Sequence, residues 1–224
     1  MDMPHGPDPV VFLHSAGLTP QMWQSQVEAV ALRQAHGTEN AQVIAPWLAG
    51  LRPGRPGELS LTLAAAEVTS TLDRYGLQRA WLVGHQLGAM VALQVAASEP
   101  ERVAGLVLSG AFAAPGRLAL RLQKSLIRLM PNRALADSGA TKEDLMRALE
   151  LMATADFGSR LGQLAMPVLV ITGSADPGRA AAQQLAAQVK GARLEELPGV
   201  GANPSLEAPE AYNRLLTGFL DATP

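Results

Sequence analysis

Side chains able to do covalent or metal chemistry are few in this sequence. It contains no cysteine, which excludes thiolate nucleophiles, disulfide bonds and cysteine-bound metals together and fits a reducing compartment. The histidines are His5, His14, His36 and His85, and none follows His85. They lack the spacing of metal ligands and the carboxylates form no cluster, so we expect no metal centre.

A glycine-spaced segment is the next place where chemistry would be expected. It reads WLVGHQLGAMVALQVA from Trp81 to Ala96, with Gly84 and Gly88 on either side of Gln86. This spacing is not the Gly-x-Gly-x-x-Gly of dinucleotide-binding loops, and no P-loop lysine follows it. We therefore expect no nucleotide cofactor.

Short apolar runs alternate with segments of helical spacing. The strands and helices that they predict must position the histidines and the glycine-spaced segment. The predicted strands are Val10–His14, Gln42–Pro46, Ala80–Gly84, Gly105–Ser109, Val168–Thr172 and Arg193–Leu197. The predicted helices are Gln21–Gln34, Thr62–Tyr75, Leu87–Ala97, Gly178–Lys190 and Pro209–Leu220. This alternation predicts an α/β fold with a mostly parallel sheet of six strands, and a chain of 224 residues fits one domain.

One interval breaks the alternation, because residues 111–166 separate two predicted strands. It contains amphipathic stretches at Leu118–Leu129 and Lys142–Met152. Long insertions in α/β folds often cover a site, so we predict a helical cap over 112–166 on a core formed by 1–111 and 167–224. A long crossover with two packed helices is the alternative.

Three landmarks occur in the order and at the strand ends that one known family uses. They are VVFLHSAG at Val10–Gly17, the glycine-spaced segment, and PVLVITGSADP at Pro167–Pro177 followed by LEELPGVGANPSLEAPEAYNRLLTGFL at Leu194–Leu220. Over about 10–220 the chain resembles the α/β-hydrolase superfamily, as a small capped bacterial-type member. The resemblance implies the α/β-hydrolase fold.

The resemblance also assigns roles residue by residue. The first landmark resembles the His-Gly-x-Gly loop, so the backbone amide of Ala16 would contribute to an oxyanion hole and Ser15 replaces a glycine. The second resembles the nucleophile elbow Gly-x-Ser-x-Gly, which puts Gln86 at the nucleophile position and the amide of Leu87 opposite that of Ala16. In the third landmark, Asp176 takes the acid position and Ala202 the histidine position.

These substitutions remove the groups on which the family's hydrolysis depends. A serine attacks because an imidazole takes its proton, and Gln86 offers only an amide with hydrogen-bond donors and an acceptor. Ala202 has no titratable atom to act as a general base. We therefore predict that serine-hydrolase activity is absent or very weak. Asp176 is either a reassigned acid that binds Gln86 or a ligand, or a turn-forming residue.

Other polar and aromatic residues near the predicted site either bind a ligand or pack in the structure. Trp47, in IAPWLAGLRPGRP at Ile44–Pro56, is a candidate ligand-binding residue or ordinary packing. His85 is expected to point away from the nucleophile pocket, and His14 to lie beneath the oxyanion loop. We interpret both as packed structural histidines.

Three hypotheses for function follow. The first is a pseudoenzyme with a degenerate catalytic triad that binds a small carbonyl compound or transforms it without hydrolysis. The second is a serine hydrolase, either an esterase or a carbon–carbon hydrolase, that was deliberately inactivated at two positions. The third is a scaffold or interaction protein that uses the fold without a ligand, and whether a pocket is open discriminates it from the others.

Charge and hydropathy limit the classes of molecule that we expect this protein to bind. Eighteen basic and twenty acidic residues give a net charge of −2 with no basic patch, which argues against nucleic acid and anionic membranes. The segment MDMPHGPDP lacks a signal pattern and no apolar run reaches the ~18 residues of a membrane span. We expect a soluble, cytoplasmic protein whose ligand is a mostly apolar small molecule with a carbonyl or carboxylate.

Overall fold

Six parallel strands form one sheet in the computed structural model, which describes residues 8–35, 42–53, 57–111 and 117–222. The strands are β1 (Val10–Leu13), β2 (Val43–Ile44), β3 (Ala80–His85), β4 (Val103–Ser109), β5 (Val168–Gly173) and β6 (Arg193–Leu197). Their order is β2-β1-β3-β4-β5-β6, and every neighbouring pair is parallel. The predicted α/β-hydrolase fold with about six strands is confirmed.

Eight α-helices connect and cover these strands in the described part of the chain. They are α1 (Gln24–Ala35), α2 (Leu61–Arg74), α3 (Leu87–Ser98), α4 (Arg117–Leu129), α5 (Lys142–Thr154), α6 (Arg179–Gln188), α7 (Pro204–Glu207) and α8 (Pro209–Ala222). Short 3-10 helices cover Pro20–Trp23, Pro100–Arg102, Asn132–Ser138 and Gly158–Gln163. None of the helices in the described ranges is long and apolar enough to cross a membrane.

The two faces of the sheet belong to separate apolar clusters, because alternate strand residues point to opposite sides. Val11 and Leu13 of β1 pack with α2 and α3, whereas Val10 and Phe12 pack with Trp23 and the apolar side chains of α8. Both faces are thus covered, which explains why β1, β3 and β5 are buried throughout.

Helix α3 is the most deeply buried helix, with nine buried residues and no polar face. It packs on β3, α2 and the cap helix α5. A helix that is apolar on all sides belongs in the interior. Its N-terminus therefore lies inside the molecule, at the point where β3 ends.

The described part of the predicted cap is helical. Helices α4 and α5 lie between β4 and β5 in the chain and pack against each other. Helix α5 begins with a capping box in which the Thr141 hydroxyl accepts from the Asp144 amide and the Asp144 carboxylate accepts from the Thr141 amide. Lys124 on α4 donates to Glu150 on α5 at 2.6 Å. The predicted boundaries of the cap, 112 and 166, stay predictions.

Predicted and observed boundaries differ where local chemistry intervenes. Strand β2 has two residues in place of the predicted Gln42–Pro46, since it pairs only with β1 and Pro46 has no amide to donate. Strand β4 begins at Val103, two residues early. The helix predicted from Gln21 starts as a 3-10 turn led by Pro20. His5 and His36 lie outside the described residues.

Candidate functional site

A strained turn at Gln86 joins β3 to α3. Gln86 has φ 46° and ψ −110°, and among the described residues it is the one non-glycine with positive φ. A Cβ added to Gly88 would lie 2.0 Å from the Leu13 carbonyl oxygen, and one added to Gly84 would lie 2.5 Å from the Ala89 amide nitrogen. The flanking glycines are therefore required by close backbone contact, and the geometry is that of a sharp strand-to-helix turn.

The strain at Gln86 reverses the usual stability order of glycine and alanine. Because a side chain at this φ costs about 1–3 kcal/mol, we expect Gln86→Gly to be more stable than Gln86→Ala by about 1–2 kcal/mol. Both variants lose the same glutamine contacts, so their difference isolates the backbone term. Urea unfolding measures it. An alanine variant as stable as the glycine variant would show that the turn relaxes.

A cavity of about 250 Å³ opens above this turn. Ser15 and Ala16, which follow β1, line it with Gln86 on the core side. Helices α4 and α5, with Met130 directly after α4, provide the other wall; its helical residues are Gln123, Leu126, Ile127, Leu145, Ala148, Leu149 and Met152. These described lining residues include no ionisable side chain, so this part of the cavity wall is apolar with a few uncharged polar groups.

Ser15 and Gln86 form the polar end of the cavity on the core side. The Ser15 hydroxyl is buried and donates to Gln86 Oε1 at 3.1 Å. This bond uses the amide oxygen of Gln86 as an acceptor. Among the described residues, no hydrogen bond engages the Gln86 Nε2 group, so its hydrogens remain for an acceptor on a ligand.

A third polar residue belongs to the cap. Gln123 lies on α4 and lines the cavity, and its Oε1 atom is buried with no hydrogen-bond partner in the described part of the chain. A buried carbonyl oxygen with no donor costs about 1–3 kcal/mol. Because this oxygen has almost no accessible surface, it does not face the open cavity, and its missing donor is a cost to the fold.

His14 and His85 are fully buried, and neither lines the cavity. His85 Nε2 donates to Asn203 Oδ1 at 3.0 Å, and its Nδ1 lies 3.1 Å from the Ser109 hydroxyl. The Leu48 amide donates to His14 Nε2 at 3.1 Å. Burial lowers the pKa of His85 to about 4 and also lowers that of His14. Both rings serve as neutral packing and hydrogen-bonding groups.

The depressed pKa of His85 makes stability depend on pH. In the unfolded chain this imidazole gains its proton near its ordinary pKa of 6.5, whereas in the folded protein it does so only near pH 4. We expect the His85 contribution, about 3 kcal/mol, to be complete above pH 6.5 and lost as pH falls toward 4. Urea unfolding between pH 7 and 4 measures the slope.

The control for this pH dependence is His85→Gln, which removes the titrating group. The difference in unfolding free energy between the unaltered protein and the variant should shrink by about 3 kcal/mol over this range. Parallel curves for the two proteins would mean that burial does not hold His85 neutral.

Asp176 closes its own turn and makes no bond to Gln86. Its Oδ1 accepts from the Gly178 amide at 2.7 Å, and Oδ2 lies 3.5 Å from the Thr172 hydroxyl. The geometry favours the turn-forming interpretation over a carboxylate reassigned to Gln86.

Hydrogen bonds to its backbone stabilise the loop that carries Ala202. Glu207 accepts from the Gly201 amide at 2.6 Å and from the Asn203 amide at 2.9 Å, one on each side of Ala202. The Ala175 amide donates to the Val200 carbonyl at 2.9 Å, which joins this loop to the Asp176 turn. The acid and histidine positions of the resemblance therefore lie on two loops in direct contact.

The side chains of two other predicted site residues, Trp47 and Leu87, do not line the cavity. Trp47 is not among the residues that line the cavity with Gln86, and its ring packs edge-on against His14 at 5.1 Å. Leu87 is fully buried as the first residue of α3, so its side chain does not line the cavity either. A ligand role for Trp47 and an oxyanion role for the Ala16 and Leu87 amides stay predictions. No group of three or more potential metal ligands occurs within the described ranges.

Comparison with known proteins shows which family the chain is similar to. The sequence profile of the alpha/beta hydrolase family matches residues 10–215. The chain belongs to the alpha/beta hydrolase family. A relative in this family, "Putative carbamate hydrolase RutD" of Variovorax paradoxus, is 32% identical over 257 aligned positions that cover 96% of this chain and 94% of that protein.

Other similar proteins are more distant. The "2-succinyl-6-hydroxy-2,4-cyclohexadiene-1-carboxylate synthase" of Serratia proteamaculans is 27% identical over 191 positions, which cover 70% of this chain and 73% of that protein. The crystal structure of a hydrolase from Pseudomonas aeruginosa superposes with a TM-score of 0.79 at 22% identity, covering 96% of this chain and 91% of that one. At this identity the superposition supports the fold alone.

Sequence reasoning missed the residues whose roles depend on contacts between loops or with the cap. Gln123 is the clearest case, although its i, i+3, i+4 and i+7 spacing with Leu126, Ile127 and Met130 was a signal for one helix face. Asn203 and Glu207 carried no such signal. Their partners become neighbours only once the loop after β6 folds.

Proposed function

We propose that this alpha/beta hydrolase family protein binds a small, mostly apolar carbonyl compound under its cap, or transforms it by a non-hydrolytic route. The observation that carries the proposal is the identity of the residue at the strained turn. Gln86 stands there beside an open cavity whose described lining contains no imidazole, carboxylate or thiolate.

Hydrolysis through an acyl-enzyme needs a nucleophile and a base in hydrogen-bond contact. Gln86 supplies an amide, and Ala202 supplies no proton acceptor. The Ser15 hydroxyl lies in the cavity, but it donates to Gln86 Oε1 and has no base among the lining residues. A water-based route meets the same obstacle, because general-base catalysis contributes about 10² to 10⁴ in rate.

The groups that remain suit the binding of a carbonyl oxygen. Gln86 Nε2 offers hydrogens that meet no acceptor among the described residues. The amide of Leu87 is at the N-terminus of α3, where the first N–H groups have no acceptor within the helix and the helix dipole favours negative charge. The apolar side chains of α4 and α5 would enclose the rest of the ligand.

The names of the relatives include one that favours hydrolysis and one that favours a different reaction. The RutD relative is named as a hydrolase, and family membership by itself favours hydrolysis. The relative named as a synthase indicates that the family is not confined to hydrolase names. Gln86 and Ala202 support the proposal, because their side chains favour binding or non-hydrolytic chemistry. The open cavity argues against a scaffold without a ligand.

Titration with 2-heptanone, a small apolar ketone, tests the proposal. We expect saturable binding by nuclear magnetic resonance, with shifted methyl signals from the cavity methionines Met130 and Met152. The control is Ala148→Phe, which fills the cavity and should abolish binding while circular dichroism shows an intact fold. Saturable hydrolysis of a short aryl ester by the unaltered protein, at the rate of a working esterase, would contradict the proposal.

A further inference from the structure

We propose that helix α4 of the cap docks on an anionic phospholipid surface, with Leu122, Leu126 and Leu129 against the acyl chains and Arg121 and Arg128 beside the phosphates. This inference goes beyond the proposed function, because it concerns the outer side of the cap. It does not depend on what the cavity binds.

The first step is a stripe of exposed leucines. Leu122, Leu126 and Leu129 are 62%, 58% and 81% exposed, and they are three of the seven large hydrophobic side chains that are exposed in the described part of the chain. Their i, i+4 and i+7 spacing puts them on one side of α4. Apolar side chains exposed singly are ordinary, whereas a contiguous row of them marks an interaction surface.

The second step is the direction in which this leucine stripe points. Lys124 donates to Glu150 of α5 at 2.6 Å, so its side of α4 is turned toward the second cap helix. Two residues correspond to about 200° around a helix, so Leu122 and Leu126 lie on the other side, away from Glu150. Leu126 also lines the cavity, which puts the stripe at the edge of that opening.

The third step is the charge of α4. Residues 117–129 contain four basic residues and no acidic one, which is a charge of +4. The whole chain has 18 basic and 20 acidic residues, so the rest of it carries a net charge of −6. The overall balance, from which we expected no anionic membrane, conceals this concentration. At physiological salt the Debye length is about 8 Å, so a surface that touches α4 responds mainly to the positive charges close to it.

The basic side chains border the leucine stripe. Arg121 and Arg128 are exposed, and each directly precedes a leucine of the stripe. Lys124 is paired with Glu150, whereas these two arginines form no ion pair with a described residue. A guanidinium group can donate to two oxygens of one phosphate, so both arginines are suited to anionic headgroups.

The pattern favours a lipid surface over other occupants. Leucines on one side and basic residues on the adjoining side are typical of helices that lie in the interface of an anionic membrane. A lipid surface receives a convex row of leucines without a matching groove, which a protein partner would have to supply. A second copy of this chain would bring its own arginines toward these, and like charges oppose such a contact.

Vesicle sedimentation tests the contribution of the leucines. Partition coefficients are measured with phosphatidylcholine vesicles that contain or lack phosphatidylglycerol. The stripe variant is Leu122→Gln with Leu129→Gln, and its control is Leu32→Gln with Leu63→Gln, which makes the same exchange at exposed positions of α1 and α2. None of these four residues lines the cavity with Gln86.

A second pair of variants tests the contribution of the charge. Arg121→Gln with Arg128→Gln removes two positive charges beside the stripe. The control, Arg193→Gln with Arg214→Gln, removes two positive charges from exposed positions on β6 and α8. Net charge is therefore the same in both, and only its location differs.

We expect the unaltered protein to partition at least about tenfold more strongly to the vesicles with phosphatidylglycerol. The stripe variant should lose at least about tenfold, because two leucines no longer leave water. The variant without Arg121 and Arg128 should lose about 10- to 30-fold on the anionic vesicles, and added salt should weaken binding of the unaltered protein. Both controls should match the unaltered protein, and circular dichroism should show α-helical content unchanged in all variants.

Several results would overturn this inference. Equal partitioning to both kinds of vesicle, or a stripe variant that binds as the unaltered protein does, would show that it is wrong. It is also wrong if the unaltered protein binds no vesicle and instead forms a dimer that the stripe variant dissociates, or binds polyglutamate alone. Ketone titration tests the proposed function separately, so either can fail while the other stands.

Discussion

The double variant Gln86→Ser with Ala202→His is expected to hydrolyse short aryl esters about 10³-fold faster than the unaltered protein. The strained turn at position 86 already has the geometry that exposes a nucleophile, with φ 46° and ψ −110°. The loop of position 202 already contacts the turn that carries Asp176. The variant adds the missing nucleophile and base, and in such sets the parts act as a unit.

The single variants are the controls, because a serine without its base and a histidine without its nucleophile should each gain little. Adding Asp176→Asn to the double variant should remove most of the gained rate, since the carboxylate holds the imidazole in its working tautomer. Burst kinetics with 4-nitrophenyl acetate measure acylation and turnover. If the double variant folds and forms no acyl-enzyme, the residues around the site have diverged as well as the triad positions.

Gly88→Ala is expected to lower the free energy of unfolding by at least about 4 kcal/mol, or to prevent folding. The added methyl would lie 2.0 Å from the carbonyl oxygen of Leu13, which belongs to the buried strand β1. Neither backbone can move without displacing the sheet or helix α3, and costs of this size arise when the core must shift. Urea unfolding, or the yield of soluble protein, measures the effect.

Gly218→Ala is the matched control. Gly218 is in helix α8, and a Cβ there meets nothing within 4 Å. Alanine is the better helix former, so we expect this variant to gain about 0.8–1 kcal/mol. A small effect of Gly88→Ala, of the same order as that control, would show that the contact between α3 and β1 is loose.

The fold was predictable because its signals are local and repeated. Each strand is a short apolar run with turn residues around it, and Gly84 and Gly88 mark the one place where strand and helix backbones come closest. The predicted boundaries were wrong at β2, whose length depends on pairing at the sheet edge as well as on Pro46. Tertiary pairing, which a single sequence does not display, set that limit.

The candidate site was predictable on its core side and not on its cap side. Ser15, Ala16 and Gln86 all follow parallel strands, so they had to meet at one edge of the sheet, and they do line one cavity. The helices of the cap were predicted, but their rotation about their own axes was not. That rotation decides that Gln123, and not a neighbour on α4, lines the cavity.

The hydrogen bonds from the Gly201 and Asn203 amides to the Glu207 carboxylate affect which mutations this chain can accept during evolution. Because the bonds go to main-chain atoms on either side of position 202, the loop keeps its path whichever side chain stands between them. Mutation at this position is thereby uncoupled from folding. A lineage can therefore exchange the side chain at position 202 under selection for a new task while the loop keeps its fold.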